Sequence, residues 1–332
     1  MFMVGFEGTS PSGEIGDLFE ALQPGGVIIM AGNYENPRQM AELTSFIRGL
    51  DPHFPPIIAV DQEGGRVNRL KEPLTQFPSP KSLGLLGSED YVYQVGRIVG
   101  KELSAVGINM NLAPVLDVNT NPQNPVIGDR SFGSDPQLVA RLGRAYIRGL
   151  KAGGVIPVGK HFPGHGATSQ DSHKTLPVVE ADRGGIEEVE LYPFRAAIDE
   201  EVPALMTAHV LYPALDSENP ATLSHTILTD LLRGDLGFAG LIITDDMNMK
   251  AISQICSIGE AAVAAILAGA DMLLICEGRE RQEEAYNAVL TAVKEGAIPE
   301  ERIDQSMIRV GSLKGQFIIP ANYPPPEQAG RR

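Results

Sequence analysis

The sequence predicts an α/β protein built as a single (β/α)8 TIM-type barrel. Three observations predict it. Short β-branched apolar runs alternate with amphipathic stretches along nearly the whole chain, and eight such runs occur. Most of these runs are apolar throughout, as strands are when a parallel sheet is buried on both faces beneath helices. The 332 residues suffice for such a barrel, which typically needs roughly 250.

In chain order the predicted strands are Met3–Phe6, Gly26–Met30, Ile57–Val60, Met110–Val115, Val155–Lys160, Ala204–Thr207, Leu241–Thr244 and Met272–Cys276. Helical periodicity fills the gaps. Between the third and fourth strands, Val92, Val95, Val99, Leu103 and Val106 recur at spacings that place them on one helix face. Between the sixth and seventh, Leu223, Ile227, Leu231 and Leu232 do the same, entered after Asn219-Pro220 and left at Gly234 or Gly237. Between the seventh and eighth the apolar face is Ala262, Val263, Ile266 and Leu267, ending at Gly269. An open doubly wound sheet is the competing architecture. It would normally show fewer strands and a glycine-rich turn after the first, where this chain has Glu7, Gly8 and Thr9. The barrel domain is expected over 1–316, followed by a proline-rich tail over 317–332.

Composition narrows the function. The formal net charge is −15, with no run of five basic residues, so nucleic acid and anionic membranes are not expected partners. Two cysteines, Cys256 and Cys276, make no disulfide framework, and Cys276 reads as a buried thiol. The first residues lack a basic segment followed by an apolar one, and no apolar stretch approaches the roughly 20 residues of a membrane helix. A cytoplasmic location is expected on that basis.

In barrels of this kind the loops after the strands form the active face. Here titratable residues gather after the strands. Asp61, Glu63, Arg66 and Arg69 follow the third, and Asp117 and Arg130 the fourth. Lys160, His161, His165, Asp171 and His173 follow the fifth, His209 the sixth, Asp245 and Asp246 the seventh, and Glu277 the eighth. Such a concentration at one end points to an enzyme. Asp245 ends an apolar run, so its carboxylate stands on a rigid support suited to a nucleophile or base. Asp246 is expected to cap a helix instead. Asp171 lies two residues before His173, close enough to orient the ring as a proton shuttle. Asp61, Glu63 and Arg69 could form a network that receives sugar hydroxyls, and Arg66, Arg69 and Arg130 could equally be surface ion pairs. A metal set from His161, His165, Asp171 and His173 is the weaker reading, because the H-x-H that barrel metallohydrolases often carry after the first strand is absent. His53 and His225 are read as structural.

These segments resemble a known family. Val60 to Arg66 (VDQEGGR), Leu112 to Val118 (LAPVLDV), Gly128 to Gly133 (GDRSFG), Gly159 to Gly166 (GKHFPGHG), Asp171-Ser172-His173 and Ile243 to Met247 (ITDDM) are similar to signatures of glycoside hydrolase family three. Within it they resemble the β-N-acetylglucosaminidases of bacterial peptidoglycan recycling. The resemblance runs in order from about Gly5 to about Cys276. It implies that Asp245 is the nucleophile of a retaining double displacement, and that His173 is the general acid/base with Asp171 as its partner. It implies that Asp61, Arg69, Arg130, Lys160 and His161 grip a terminal N-acetylglucosamine, with no metal or organic cofactor. The expected substrate is a carbohydrate, an N-acetylglucosamine-bearing muropeptide. A family-three β-glucosidase and a phosphorylase, in which phosphate replaces water, are the alternatives within the family. A metal-dependent barrel hydrolase is the alternative outside it.

Overall fold

The computed structural model describes residues 1–319. Eight strands form one closed parallel barrel: β1 (Phe2–Val4), β2 (Gly26–Ile29), β3 (Ile57–Val60), β4 (Met110–Asn111), β5 (Ile156–Phe162), β6 (Ala204–Thr207), β7 (Leu241–Asp246) and β8 (Met272–Ile275). Each strand pairs with its sequence neighbours, and β8 returns to β1 in the register Phe2↔Leu273. The predicted architecture is the observed one.

The largely apolar strands follow from pleating, which sends successive side chains to opposite faces. Ile28, Ile57, Met110, Ile156, Ala204, Ile243 and Leu274 point into the barrel and fill it. Their neighbours Val27, Ile58, Leu205, Ile242 and Leu273 point outward against the helices. Both faces are dry, so no polar alternation survives.

The helices form where the periodicity places them. Glu89–Ala105 starts at Ser88, whose side chain accepts from the Tyr91 N–H, and it buries Val92, Val95, Val99 and Leu103. It lies against Pro136–Ala152 through glycines: a Cβ on Gly100 would come 2.9 Å from the Gly153 Cα and from the Leu150 carbonyl oxygen. Ile258–Ala268 opens with a reciprocal Ser257–Glu260 capping box and closes at Gly269, with φ at 127°. The helix after β6 is the wide, i→i+5 form over Thr226–Asp235, with Leu236 N–H on the Leu231 carbonyl at 2.9 Å. Leu223 falls before it in a separate 3₁₀ turn.

The structure corrects some boundaries. β4 stops at Asn111 rather than Val115 because Pro114 has no N–H for the ladder, and pairing resumes only as a bridge from Val115 to Lys160. β5 and β7 each run two residues further than expected, so His161, Asp245 and Asp246 join Lys160 on strands. Gln62–Gly64 and Val67–Asn68 form a small antiparallel hairpin that periodicity did not signal. Asp246 caps no helix: the next one, Lys250–Ser253, starts after Met249. The Asp246 Oδ1 instead accepts from the Asn248 and Cys276 backbone N–H groups at 3.1 Å each, tying the end of β7 to the chain after β8. Among the described residues the last helix spans Glu300–Phe317. The tail expected from 317 lies mostly outside the described residues.

Candidate active site

A cleft of about 590 Å³ opens at the C-terminal end of the barrel. Its floor is a chain of buried charges. Lys160, on β5, places Nζ 2.6 Å from Asp61 Oδ1 and 2.6 Å from Glu63 Oε1. Glu63 also takes a two-pronged contact from Arg130, Nε and Nη2 each at 2.8 Å. The Arg130 Nη2 lies 3.4 Å from His161 Nε2. On the other ring nitrogen, His161 Nδ1 meets Asp117 Oδ2 at 2.7 Å, while Asp117 Oδ1 accepts the His161 and His165 backbone N–H groups at 3.2 and 2.8 Å. Arg69 closes the edge 3.7 Å from Asp61, and its buried Nε has no hydrogen-bond partner among the described residues. Arg66, at the cleft's edge, makes an exposed pair with Asp129.

Among the residues the sequence singled out, Asp61, Arg69, Arg130, Lys160 and His161 therefore converge. Glu63 and Asp117 hold them there. Glu63 is fixed by the hairpin that no sequence pattern announced, and Asp117 acts on a histidine 44 positions away.

Asp245 stands near the end of β7 with its Oδ1 on the Asp246 backbone N–H at 2.8 Å. Burial would raise its carboxyl, but the neighbouring His161 and His209 imidazoles, the Asp246 N–H and Lys160 outweigh that. The group is held below the ordinary aspartate range. It is a carboxylate at neutral pH. His209 is itself buried, with Nδ1 on Thr222 Oγ1 at 2.7 Å and Nε2 on the Asp246 carbonyl at 3.0 Å. Its place beside Asp245 was not legible in the sequence, where it appeared only as a residue after the sixth strand.

The third component is the loop after β5. His173 Nδ1 meets Asp171 Oδ1 at 2.9 Å, and the same oxygen accepts the His173 backbone N–H. The pair sits on the rim, with the His173 side chain 65% exposed. The loop is tied from beneath. His165 bridges Thr168 Oγ1 at 2.9 Å and Ser172 Oγ at 3.1 Å, and Asn124 Nδ2 reaches the His165 and Gly166 carbonyls. Both nitrogens of His165 are thus engaged by hydroxyls, and His161 by Asp117 and Arg130. Of the residues considered as a metal set, His161 and His165 are thus engaged by other side chains, and His173 pairs with Asp171. Among the described residues no three His, Cys, Asp or Glu side chains are grouped to hold a metal ion. No helix there is long and apolar enough to cross a membrane. Cys276 is buried at the cleft wall, Cys256 is half-buried, and both are free thiols.

The arrangement offers a fixed carboxylate, a carboxylate-oriented imidazole opposite open solvent, and a polar pocket for a hydroxylated ring. Residues 2–313 match the family model described as Glycosyl hydrolase family 3 N terminal domain. A curated β-hexosaminidase of Nitrosomonas eutropha is 43% identical over 272 residues, 80% of this chain and 77% of that protein. β-Hexosaminidase A of Pseudoalteromonas piscicida is 38% identical over 327 residues, 91% of this chain and 55% of its own length. Among solved structures, a glycoside hydrolase family 3 β-N-acetylglucosaminidase from Paenibacillus sp. superposes with a TM-score of 0.95 at 44% identity, over 97% of this chain and 62% of that one. The chain thus spans little more than half of some of the relatives it matches.

Proposed function

Since the chain belongs to glycosyl hydrolase family 3, through that family's N-terminal domain, we propose that it is an exo-β-N-acetylglucosaminidase working by a retaining double displacement. The observation that carries the proposal is the convergence on one cleft of an ionised Asp245, the Asp171–His173 pair and the Asp61–Lys160–Glu63–Arg130 cluster. Asp245 attacks the anomeric carbon. His173 donates its proton to the departing glycosidic oxygen and, neutral, then takes one from water as that water releases the sugar from Asp245. Asp171 holds the His173 ring. Asp61, Arg69, Arg130, Lys160 and His161 bind the terminal N-acetylglucosamine, their charges matched to its hydroxyls and held rigid so that little order is lost on binding.

The substrate in this reading is a fragment of peptidoglycan, and the setting the cytoplasm; both rest on the resemblance to recycling enzymes. A histidine acid suits an anionic fragment because it adds no negative charge once it has given up its proton. The test is hydrolysis of 4-nitrophenyl N-acetyl-β-D-glucosaminide beside the matching β-D-glucoside, with wild type and Asp245→Ala. A strong preference for the N-acetyl sugar, lost in the variant, is expected. Preference for the glucoside would leave the family and overturn the sugar assignment.

A further inference from the structure

The loop that carries Asp171 and His173 begins at Pro163-Gly164, and something unusual lies beneath it. Glu190, at the end of the short helix Ile186–Glu190, is only 3% exposed. Its Oε2 has no hydrogen-bond partner among the described residues. It presses on Gly164: a Cβ there would collide with that same Oε2 and lie 3.1 Å from the Tyr212 hydroxyl. Tyr212, fully buried, donates to the Gly164 carbonyl at 2.8 Å. The root of the loop is thus clamped between a tyrosine hydroxyl and a carboxyl oxygen that has no hydrogen-bond partner among the described residues.

We propose that Glu190 is a positioning residue for the catalytic loop, holding the Gly164 turn in place only while its carboxyl carries a proton. A buried polar atom without a partner is uncommon and costs stability unless it serves something. Here the neutral carboxyl fills the space under a glycine turn. Ionised, it would be a bare charge in that space. The titratable groups facing it are Asp117 from the segment after β4, which carries the same sign, and Tyr212 from the segment after β6. On its own helix Glu187 and Glu188 are exposed. None of these can neutralise a negative Glu190. Relief would come from movement of the Gly164 turn or entry of water, and either displaces Asp171 and His173. Burial, with Asp117 adding to it, pushes the Glu190 carboxyl up to about 8, so the change falls just above neutral pH.

The inference rests on the proposed role of His173, but its test separates from that role, because loop order is read without substrate. Hydrogen exchange of peptides covering 163–174 is followed from pH 7 to pH 9 and corrected for the intrinsic pH dependence of exchange. In wild type and in His173→Ala, protection of this loop is expected to fall by tenfold or more across that range. In Glu190→Gln, which copies the protonated shape and cannot ionise, it is expected to stay constant. The alkaline fall in kcat/KM for an N-acetylglucosaminide with a good leaving group, which needs no acid, should move up by at least one pH unit in Glu190→Gln. Unchanged protection in wild type between pH 7 and pH 9 overturns the proposal, even if the glutamine variant fails to fold. So does a glutamine variant that keeps the wild-type pH response.

Discussion

Replacing Glu63 by Gln tests whether the floor of the cleft is held by its buried charges. Glu63 is 3% exposed and accepts two contacts from Arg130 at 2.8 Å and one from Lys160 at 2.6 Å. Lys160 would keep Asp61 in the variant, but Arg130 would lose its paired carboxylate while staying almost wholly buried. Removing one partner from a buried ion pair costs about 3–5 kcal/mol, and the amide keeps one acceptor, so the lower end of that range is expected. With an unfolding entropy of about 2.1 cal/mol/K per residue, a chain of this length should lose about 4–6 °C in Tm. The pH dependence gives a second handle. Burial would raise the Glu63 carboxyl, but Arg130 and Lys160 overcome that and hold it far below its ordinary 4.5. A depressed carboxyl stabilises fully above its unfolded value and loses that contribution as pH falls toward its folded one. The gap between wild type and variant should therefore be constant above about pH 5 and narrow by about 1 kcal/mol at pH 3.5. Urea unfolding at both pH values measures it. A gap below about 1 kcal/mol at pH 7, or one that widens in acid, would refute the reasoning.

Other outcomes follow from the same geometry. His173→Ala should lower kcat by about 10²–10⁴-fold on a substrate with a poor leaving group and far less on one with a good leaving group; equal losses in steady-state assays would remove it from the acid role. Gly166→Ala would drive a methyl group into the Val118 carbonyl, so the loop must shift and kcat should fall at least tenfold with KM changed less. A glycosidase that uses water should turn over at equal rates in phosphate and in an inert buffer of equal ionic strength, whereas a phosphorolytic enzyme would release sugar 1-phosphate. Activity retained after EDTA treatment separates the carboxylate–imidazole mechanism from a metal-dependent hydrolase.

Much of this was legible in the sequence for a simple reason. Barrel strands are buried on both faces, so Ile57–Val60 or Met272–Ile275 stand out as apolar runs. Whatever follows such a run must lie at the same end of the barrel, which gathered Asp61, Lys160, His161 and Asp245 without any knowledge of distances. What was not legible depends on long-range contact. Strands of two or three residues, such as Gln62–Gly64 and Val67–Asn68, are too short to leave a period. Asp117 gains its meaning only from His161 and His165, and its sequence neighbourhood reads as an ordinary strand end. Glu190 looks like one more acid beside Glu187 and Glu188, and nothing in that run tells which of the three is turned inward.

The cleft divides its labour unevenly between two kinds of support. The residues assigned to the sugar are anchored on β5 and in the buried network behind it, whereas the proposed proton donor rides on an exposed rim. These two parts meet beneath the loop, at Asp117 and His165. Variation in the rim loop can alter which leaving group is accepted, or whether water or another nucleophile completes the reaction, without disturbing recognition of the sugar ring. Variation in the buried network has no such freedom, since each charge there is the counter-ion of another. Evolution of new acceptors on this scaffold should therefore be fast and local, and evolution of new sugar preferences slow and concerted.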